Sequence, residues 1–380
     1  MPDFASFAAG SSVLLVGIIT AGKYEGQHPI HPKARQILLD AFDQGWADPT
    51  QISSQGRQAQ ALLAQARESI AKSLGLKVDE IELWGEPELI SPIAIWGAPG
   101  FGVSPFIYGA TERSEIIGMR GKSKQSFEIS VDIDGAIDLE LLTQTLQPNS
   151  IVAIQSANIE TGVIQNVKAI AKAAVAQNAH LHIDATASGA RFVKPSYWST
   201  LHFDAHSWNG PSGVGVFALK NGARWSNPLP HTRPTRAPNS FSIPLALAAA
   251  SALEHWIADE AANSTRLKSL IERVRNHVKQ TISDVDIAGN AESTLPNIIS
   301  LSFLNVSSEQ LVAALEVEGF SVASGSACVA SALEPSHVLK AMGLLTHGNM
   351  RINLNHDVQD GEITKLLALL PGIISKLREN

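Results

Sequence analysis

Four stretches of this 380-residue chain carry side chains whose types and spacing can do chemistry. Cys328, the chain's one cysteine, lies in SGSACVASALEPSHVLKAMG, from Ser324 to Gly343. A thiolate is both a nucleophile and a sulfur carrier, and a run of Ser, Gly and Ala suits an exposed loop. Helix N-terminal amides after Pro335 are candidates to stabilise the thiolate. A lone cysteine is more often a small buried hydrophobe, but the composition of this loop favours a reactive thiol. Arg351, in HGNMRINL, presents a planar guanidinium that can grip a carboxylate with two parallel hydrogen bonds. The plainer reading is a salt bridge to an acid at a domain interface. His337, in EPSHVLKAMG, reads as a helix-face residue with a structural hydrogen bond.

The remaining two stretches surround Asp184 and His206. His180-x-His182-x-Asp184 places three metal-ligand types on one face of a strand. Residues four apart on a strand stand roughly 13 Å from one another, too far for one ion to join His180 and Asp184. A metal site is therefore not expected. In HSWNGPSGVGVFAL, His206 and Ser207 could form a hydrolase triad with Asp184, but adjacent residues on a strand point to opposite faces. His206 reads as a core histidine or as a group packing over whatever occupies the pocket. The glycines Gly210, Gly213 and Gly215 follow no strand-to-helix turn, so a dinucleotide site is not supported.

The elements that must position these groups are legible from periodicity. Apolar runs at Ile151–Ser156 and His180–Asp184 flank a segment of helical period, Val163–Gln177, which argues for βαβ units in a mainly parallel sheet. Two helices are expected at Pro32–Gly45 and Gly56–Leu74, with turn chemistry from Pro49, Ser53, Ser54 and Gly56 between them. Val13–Ile19 reads as a buried strand, too short to span a membrane and without a preceding basic segment. An Ala-rich helix is expected from Ile243 to Ile257. Beyond it come a strand at Asn297–Leu304, a helix at Ser308–Gly319, a strand near Arg351 and a last helix at Glu362–Leu377. The fold class is thus α/β: a large domain over 12–250, and a small α+β domain over 251–380 completed by residues 1–11.

Composition narrows the class of partner. With a net charge of −7 and no basic run longer than Arg233–Arg236, neither nucleic acid nor an anionic membrane surface is expected. One cysteine excludes an internal disulfide framework and a cysteine-based zinc site, which fits a reducing, cytoplasmic setting.

Five ordered blocks give the chain a family resemblance. GWADPTQISSQGR and the helix after it, SANIETGVIQNV from Ser156, LHIDATASGA from Leu181, HSWNGPSGVGVFAL, and the Cys328 loop together resemble the cysteine desulfurases of the class V aminotransferase group. The resemblance implies a fold-type-I homodimer that uses pyridoxal phosphate (PLP) to take sulfur from L-cysteine. Sulfur would be left as a persulfide on the loop cysteine, with alanine released. It assigns Asp184 to the pyridine nitrogen, Arg351 to the substrate carboxylate and Cys328 to the persulfide.

The resemblance breaks at the cofactor. The lysine that forms the PLP imine is Ser207, and a hydroxyl cannot form an imine. The second asparagine of the family's ANNE pattern is Ile159, and the glutamine three residues beyond the strand-end aspartate is Ala187. The phosphate turn reads GEPEL from Gly85: Glu86 adds an anion, and Pro87 lacks a backbone N–H. Arg113 falls near the ring-stacking histidine. Asp184, His206 and Ser207 then form a vestigial cofactor site. Lys194 and Lys220 are the nearest lysines in sequence, and neither is expected at a strand end facing it.

Three functions follow. The first is a sulfur-mobilisation protein of iron–sulfur metabolism that has lost PLP chemistry and relays persulfide sulfur on Cys328 to an acceptor or scaffold protein. The second is a non-catalytic partner or regulator of an active desulfurase or of an iron–sulfur scaffold, as a homodimer or as a heterodimer with a paralogue. The third is a PLP enzyme with an atypical site.

Overall fold

A computed structural model describes residues 24, 26, 28–44, 47–231, 236–237, 241–325 and 335–379. Among these residues ten strands are formed: β1 (Ile81–Trp84), β2 (Phe106–Gly109), β3 (Ser126–Ile129), β4 (Ile151–Gln155), β5 (His180–Asp184), β6 (Thr200–Asp204), β7 (Gly215–Leu219), β8 (Val285–Ile287), β9 (Ile298–Phe303) and β10 (Asn349–Asn353). Seven make one sheet in the order β1-β7-β6-β5-β4-β2-β3. The five strands from β6 to β3 run parallel, and β7 pairs antiparallel with both β6 and β1. The strands β4, β5 and β7 are buried along their whole length. Burial on both faces is why β4 and β7 read as nearly continuous apolar runs, whereas β5 alternates buried His and Asp with Leu and Ile.

The chain divides into two units. The larger comprises residues 30–159 and 163–261 and contains the seven-stranded sheet. Its core includes Ile107, Val152, Ile154, Leu181, Ile183, Phe203 and Trp208. The smaller comprises residues up to 29, 160–162 and 262–380, and is built on the antiparallel sheet β10-β9-β8. Tyr24 joins it: its carbonyl accepts from Asn353 N at 2.9 Å and its ring lies 5.6 Å from that of Phe320. The expected completion by residues 1–11, and the expected strand Val13–Ile19, lie outside the described residues.

The boundary expected at 250/251 falls inside a helix. Ile243–Thr281 runs unbroken for 39 residues, and the division comes at 261/262. No glycine interrupts it, and its proline lies in the first turn, where a missing N–H is tolerated. The expected stop at Ile257 is corrected accordingly: the polar residues after it continue the helix.

Elsewhere the ends are set by capping. Ser53 accepts from Gly56 N at 3.0 Å to start the helix Ser54–Ser73, and Asn166 accepts from Ala169 N at 3.1 Å to start Val167–Ala176. The latter begins four residues later than its apolar period suggests, because Ile164 bridges to Ala157 instead. Among the described residues no helix is long and apolar enough to cross a membrane.

Candidate functional site

Because β5 and β6 are parallel neighbours, their carboxyl ends set Asp184 and Asp204 at the same edge of the sheet. Asp184 is fully buried. One of its oxygens accepts from Thr186 N at 2.8 Å; the other, Oδ2, accepts no hydrogen bond and faces Arg113 Nη1 at 3.8 Å. Arg113 also donates to Glu115 Oε1 at 2.8 Å and to Thr186 Oγ1 at 3.3 Å. Burial opposes ionisation of Asp184, but His202, Arg113 and the Thr186 bonds outweigh it and hold the carboxyl below its usual range.

Beneath this edge runs a chain of buried histidines. His180 Nε2 meets Thr200 Oγ1 at 3.5 Å, Thr200 meets His182 Nδ1 at 3.0 Å, and His182 Nε2 meets Ser91 Oγ at 3.0 Å. Ser91 in turn meets His202 Nδ1 at 2.9 Å, and that nitrogen lies 4.0 Å from Asp184. Burial pushes His180 and His182 down to about 3 and His202 down to about 4. All three imidazoles are thus neutral near pH 7, which leaves Arg113 as the standing positive charge beside Asp184. The histidines face hydroxyls, and among the described residues no group of His, Cys, Asp and Glu converges to hold a metal.

Ser207 lies on a 3₁₀ turn, Ala205–Trp208, and not on a strand. Opposite strand faces therefore do not separate Ser207 from His206, and the triad fails for another reason. Ser207 Oγ donates to Asp204 O at 2.7 Å, while Asp184 is engaged by Arg113 and Thr186. The side chain is also close-packed: a Cβ placed on Gly189 would lie 2.3 Å from Ser207 Oγ. His206 donates its amide to Asp204 Oδ1 at 2.9 Å. Asp204, absent from the sequence-based candidates, is an added anion whose carboxyl burial lifts above its usual range. Ala187 is half-buried and Ile159 is 41 % exposed. At the turn after β1, Glu86 is exposed and Pro87 opens a 3₁₀ turn, Pro87–Leu89.

Neither lysine reaches this edge. Lys194 donates to Gly75 O. Lys220 follows β7, whose end pairs with the start of β6 at Thr200, so it lies at the opposite edge of the sheet, 5.5 Å over the Trp198 ring.

In the smaller unit, Arg351 is buried in the middle of β10, opposite Ser300 of β9, and bridges to Ala323. Asn349, two residues earlier on the same face, donates to Ser300 Oγ at 2.9 Å and to Ser302 Oγ at 3.1 Å, and accepts from Gly325 N at 2.7 Å. Glu160 lies close by. Burial raises its carboxyl, while a hydrogen bond with Ser336 and the charges of Arg351 and His337 oppose that rise. A Cβ on Gly325 would come 2.0 Å from Glu160 Oε1, so only glycine fits there. Sequence reasoning left Glu160 out; its carboxyl lies near enough for the charges of Arg351 and His337 to act on it. His337 opens the short helix His337–Ala341, capped by Ser336. Cys328 lies outside the described residues; on either side of that segment, Gly325 donates to Asn349 and Ser336 hydrogen-bonds Glu160.

A mainly parallel seven-stranded sheet with one antiparallel strand, carrying its polar side chains at the strand carboxyl ends, defines the fold-type-I architecture of PLP-dependent enzymes. A solved NifS-like protein superposes with a TM-score of 0.83 over 93 % of this chain and 99 % of its own, at 22 % identity. The aminotransferase class-V model matches residues 122–366. The cysteine desulfurase IscS of Dictyoglomus turgidum is 29 % identical, covering 93 % of this chain and 94 % of its own length. That of Haemophilus influenzae is 31 % identical, covering 85 % and 84 %. The chain belongs to the aminotransferase class-V family, in its cysteine desulfurase group.

That family is PLP-dependent, and the side chains present here do not fit the cofactor. The donor set lacks an amine at 207, the hydroxyl in its place is spent on a backbone carbonyl, and Asp184 already faces a guanidinium. Glu86, exposed, adds a carboxylate at the turn that the resemblance assigns to a dianionic phosphate.

Proposed function

We propose that this protein is a cysteine desulfurase relative that handles sulfur without PLP, carrying it as a persulfide on Cys328. The observation that carries the reading is Ser207, whose hydroxyl is turned onto the Asp204 carbonyl at the position where the family resemblance calls for the imine lysine. No hydrogen bond supplies the electron sink that an imine provides, so release of sulfur from L-cysteine has no chemical route here. Transfer from a persulfide needs no such sink. The Cys328 thiolate attacks the terminal sulfur of a donor R–S–SH, the donor S–S bond breaks, and R–S⁻ leaves and is protonated. The product, Cys328–S–SH, passes its outer sulfur to an acceptor or iron–sulfur scaffold by the same exchange. Arg351 would hold the carboxylate of a small donor, with Glu160 as its counter-charge when the site is empty. A dimer in the cytoplasm, with itself or with a paralogue, completes this reading.

A second reading, that of a non-catalytic partner of an active desulfurase, draws support from the same changed pocket. Mass spectrometry after incubation with a small persulfide separates the two. A relay gains 32 Da at Cys328, removed by dithiothreitol and absent from Cys328→Ser (from the mass of one sulfur, about 32 Da). A protein that stays unlabelled while its cysteine alkylates freely is a partner and not a carrier.

A further inference from the structure

Three groups surround the Arg113 guanidinium. Glu115 Oε1 accepts at 2.8 Å, Thr186 Oγ1 at 3.3 Å, and Asp184 Oδ2 stands at 3.8 Å on the same nitrogen as Thr186. The arginine side chain keeps 24 % of its exposure, whereas Asp184 keeps 2 %. The charge of Asp204 acts on it as well. A buried carboxylate with no counter-cation is costly, and Asp184 Oδ2 has no hydrogen bond of its own. Within the family resemblance, the partner of this aspartate is a planar cation, the protonated pyridine ring. Here a planar cation is again its partner, but it is a side chain of the same polypeptide. A guanidinium suits the role better than an ammonium, since it is flat, weakly hydrated and always charged.

We propose that Arg113 is a built-in surrogate for the cationic ring of a cofactor, closing the pocket at Asp184, and that its removal leaves a site for a small planar monocation. The inference rests on the reading that Asp184 no longer serves PLP. It does not involve Cys328, so a failed sulfur relay leaves it standing, and its own failure leaves the relay standing. Two properties follow from the geometry. The site selects flat cations over tetrahedral ones, because Glu115, Thr186 and Asp184 engage the rim of a planar group. It rejects anions, because Asp184, Glu115 and Asp204 all face it.

Chemical rescue of Arg113→Ala tests this with thermal unfolding as the readout. At about 10 mM, ethylguanidinium is expected to restore at least half of the lost melting temperature, and the cation 4-aminopyridinium part of it, by binding the folded state alone. Ethylammonium is expected to give no rescue, nor is any cation expected to shift the wild type or Arg113→Ala/Asp184→Asn. Rescue that persists without Asp184, or that ethylammonium matches, overturns the proposal, as does no rescue of a folded variant. Should Arg113→Ala not fold, a double-mutant cycle with Arg113→Gln and Asp184→Asn decides. Coupling of about tenfold or more in the unfolding equilibrium is expected, and coupling below about twofold overturns the pairing.

Discussion

The strand ends around Asp184 and the cluster around Glu160 and Arg351 differ in how far their side chains match what the family resemblance calls for. At Asp184 a guanidinium faces the carboxylate, the serine at 207 is bonded to its own turn, and Asp204 adds a further carboxyl at the same edge of the sheet. Around Arg351 the arginine that the resemblance assigns to a carboxylate is present, with Asn349 bonded to Ser300, Ser302 and Gly325, and with the Glu160 carboxyl nearby. Covalent cofactor chemistry depends on one amine, and its loss frees every neighbour that served it. Holding a carboxylate depends on a positive charge and a rigid support, both of which the proposed sulfur carrier would use.

Acid should separate the two regions most strongly. His180, His182 and His202 are pushed down by burial, to about 3, 3 and 4, against an ordinary value of 6.5. A group depressed in the folded state contributes stability that is complete above its unfolded value and lost as pH falls below it. Each histidine therefore costs about 1.4 kcal/mol per pH unit between 6.5 and its folded value, or about 4 kcal/mol per unit for the three while all lie in that window. Glu160 has the opposite sign: its carboxyl is raised, so the folded state takes up a proton first and gains stability as pH falls toward 4.5. Glu112, fully buried beneath Gln155, shares that sign and offsets part of the histidine loss. Denaturant unfolding from pH 7 to 5 should show His202→Asn flattening the pH slope by about 1.4 kcal/mol per unit. An unchanged slope would mean that His202 is not buried neutral.

A smaller effect tests the second region. Gly325→Ala forces a methyl group into the Glu160 carboxyl, and overpacking of this kind costs about 1–3 kcal/mol. The measured loss should fall by about half in Glu160→Gly/Gly325→Ala, where the obstructing side chain is gone. If the loss is the same in both backgrounds, Glu160 is not what Gly325 accommodates.

Much of this arrangement was legible in the chain itself, for identifiable reasons. Burial on both faces makes β4 a continuous apolar run, and the helical period that follows it marks where β5 begins, so the strand that ends in Asp184 is placed to the residue although it alternates His and Asp with Leu and Ile. The missing lysine at 207 is a change of residue type and needs no coordinates. The Arg113–Asp184 pair joins residues 71 apart in sequence, and His182, Ser91 and His202 meet only because helix Ile90–Trp96 packs on β5 and β6. Periodicity carries no record of such pairings. The conformation of Ser207 was misjudged because a strand ending at Asp204 gives way at once to a 3₁₀ turn, where side chains no longer alternate.

Borohydride reduction after incubation with excess PLP, followed by peptide mapping, tests the central claim most directly. The account predicts no pyridoxyl-lysine above the level of exposed surface lysines, no visible absorbance of a bound imine, and the same result for Ser207→Lys while Arg113, Glu86 and Asp204 remain. A single stoichiometric pyridoxyl adduct on any lysine of the wild-type chain, accompanied by alanine release from L-cysteine, would contradict it.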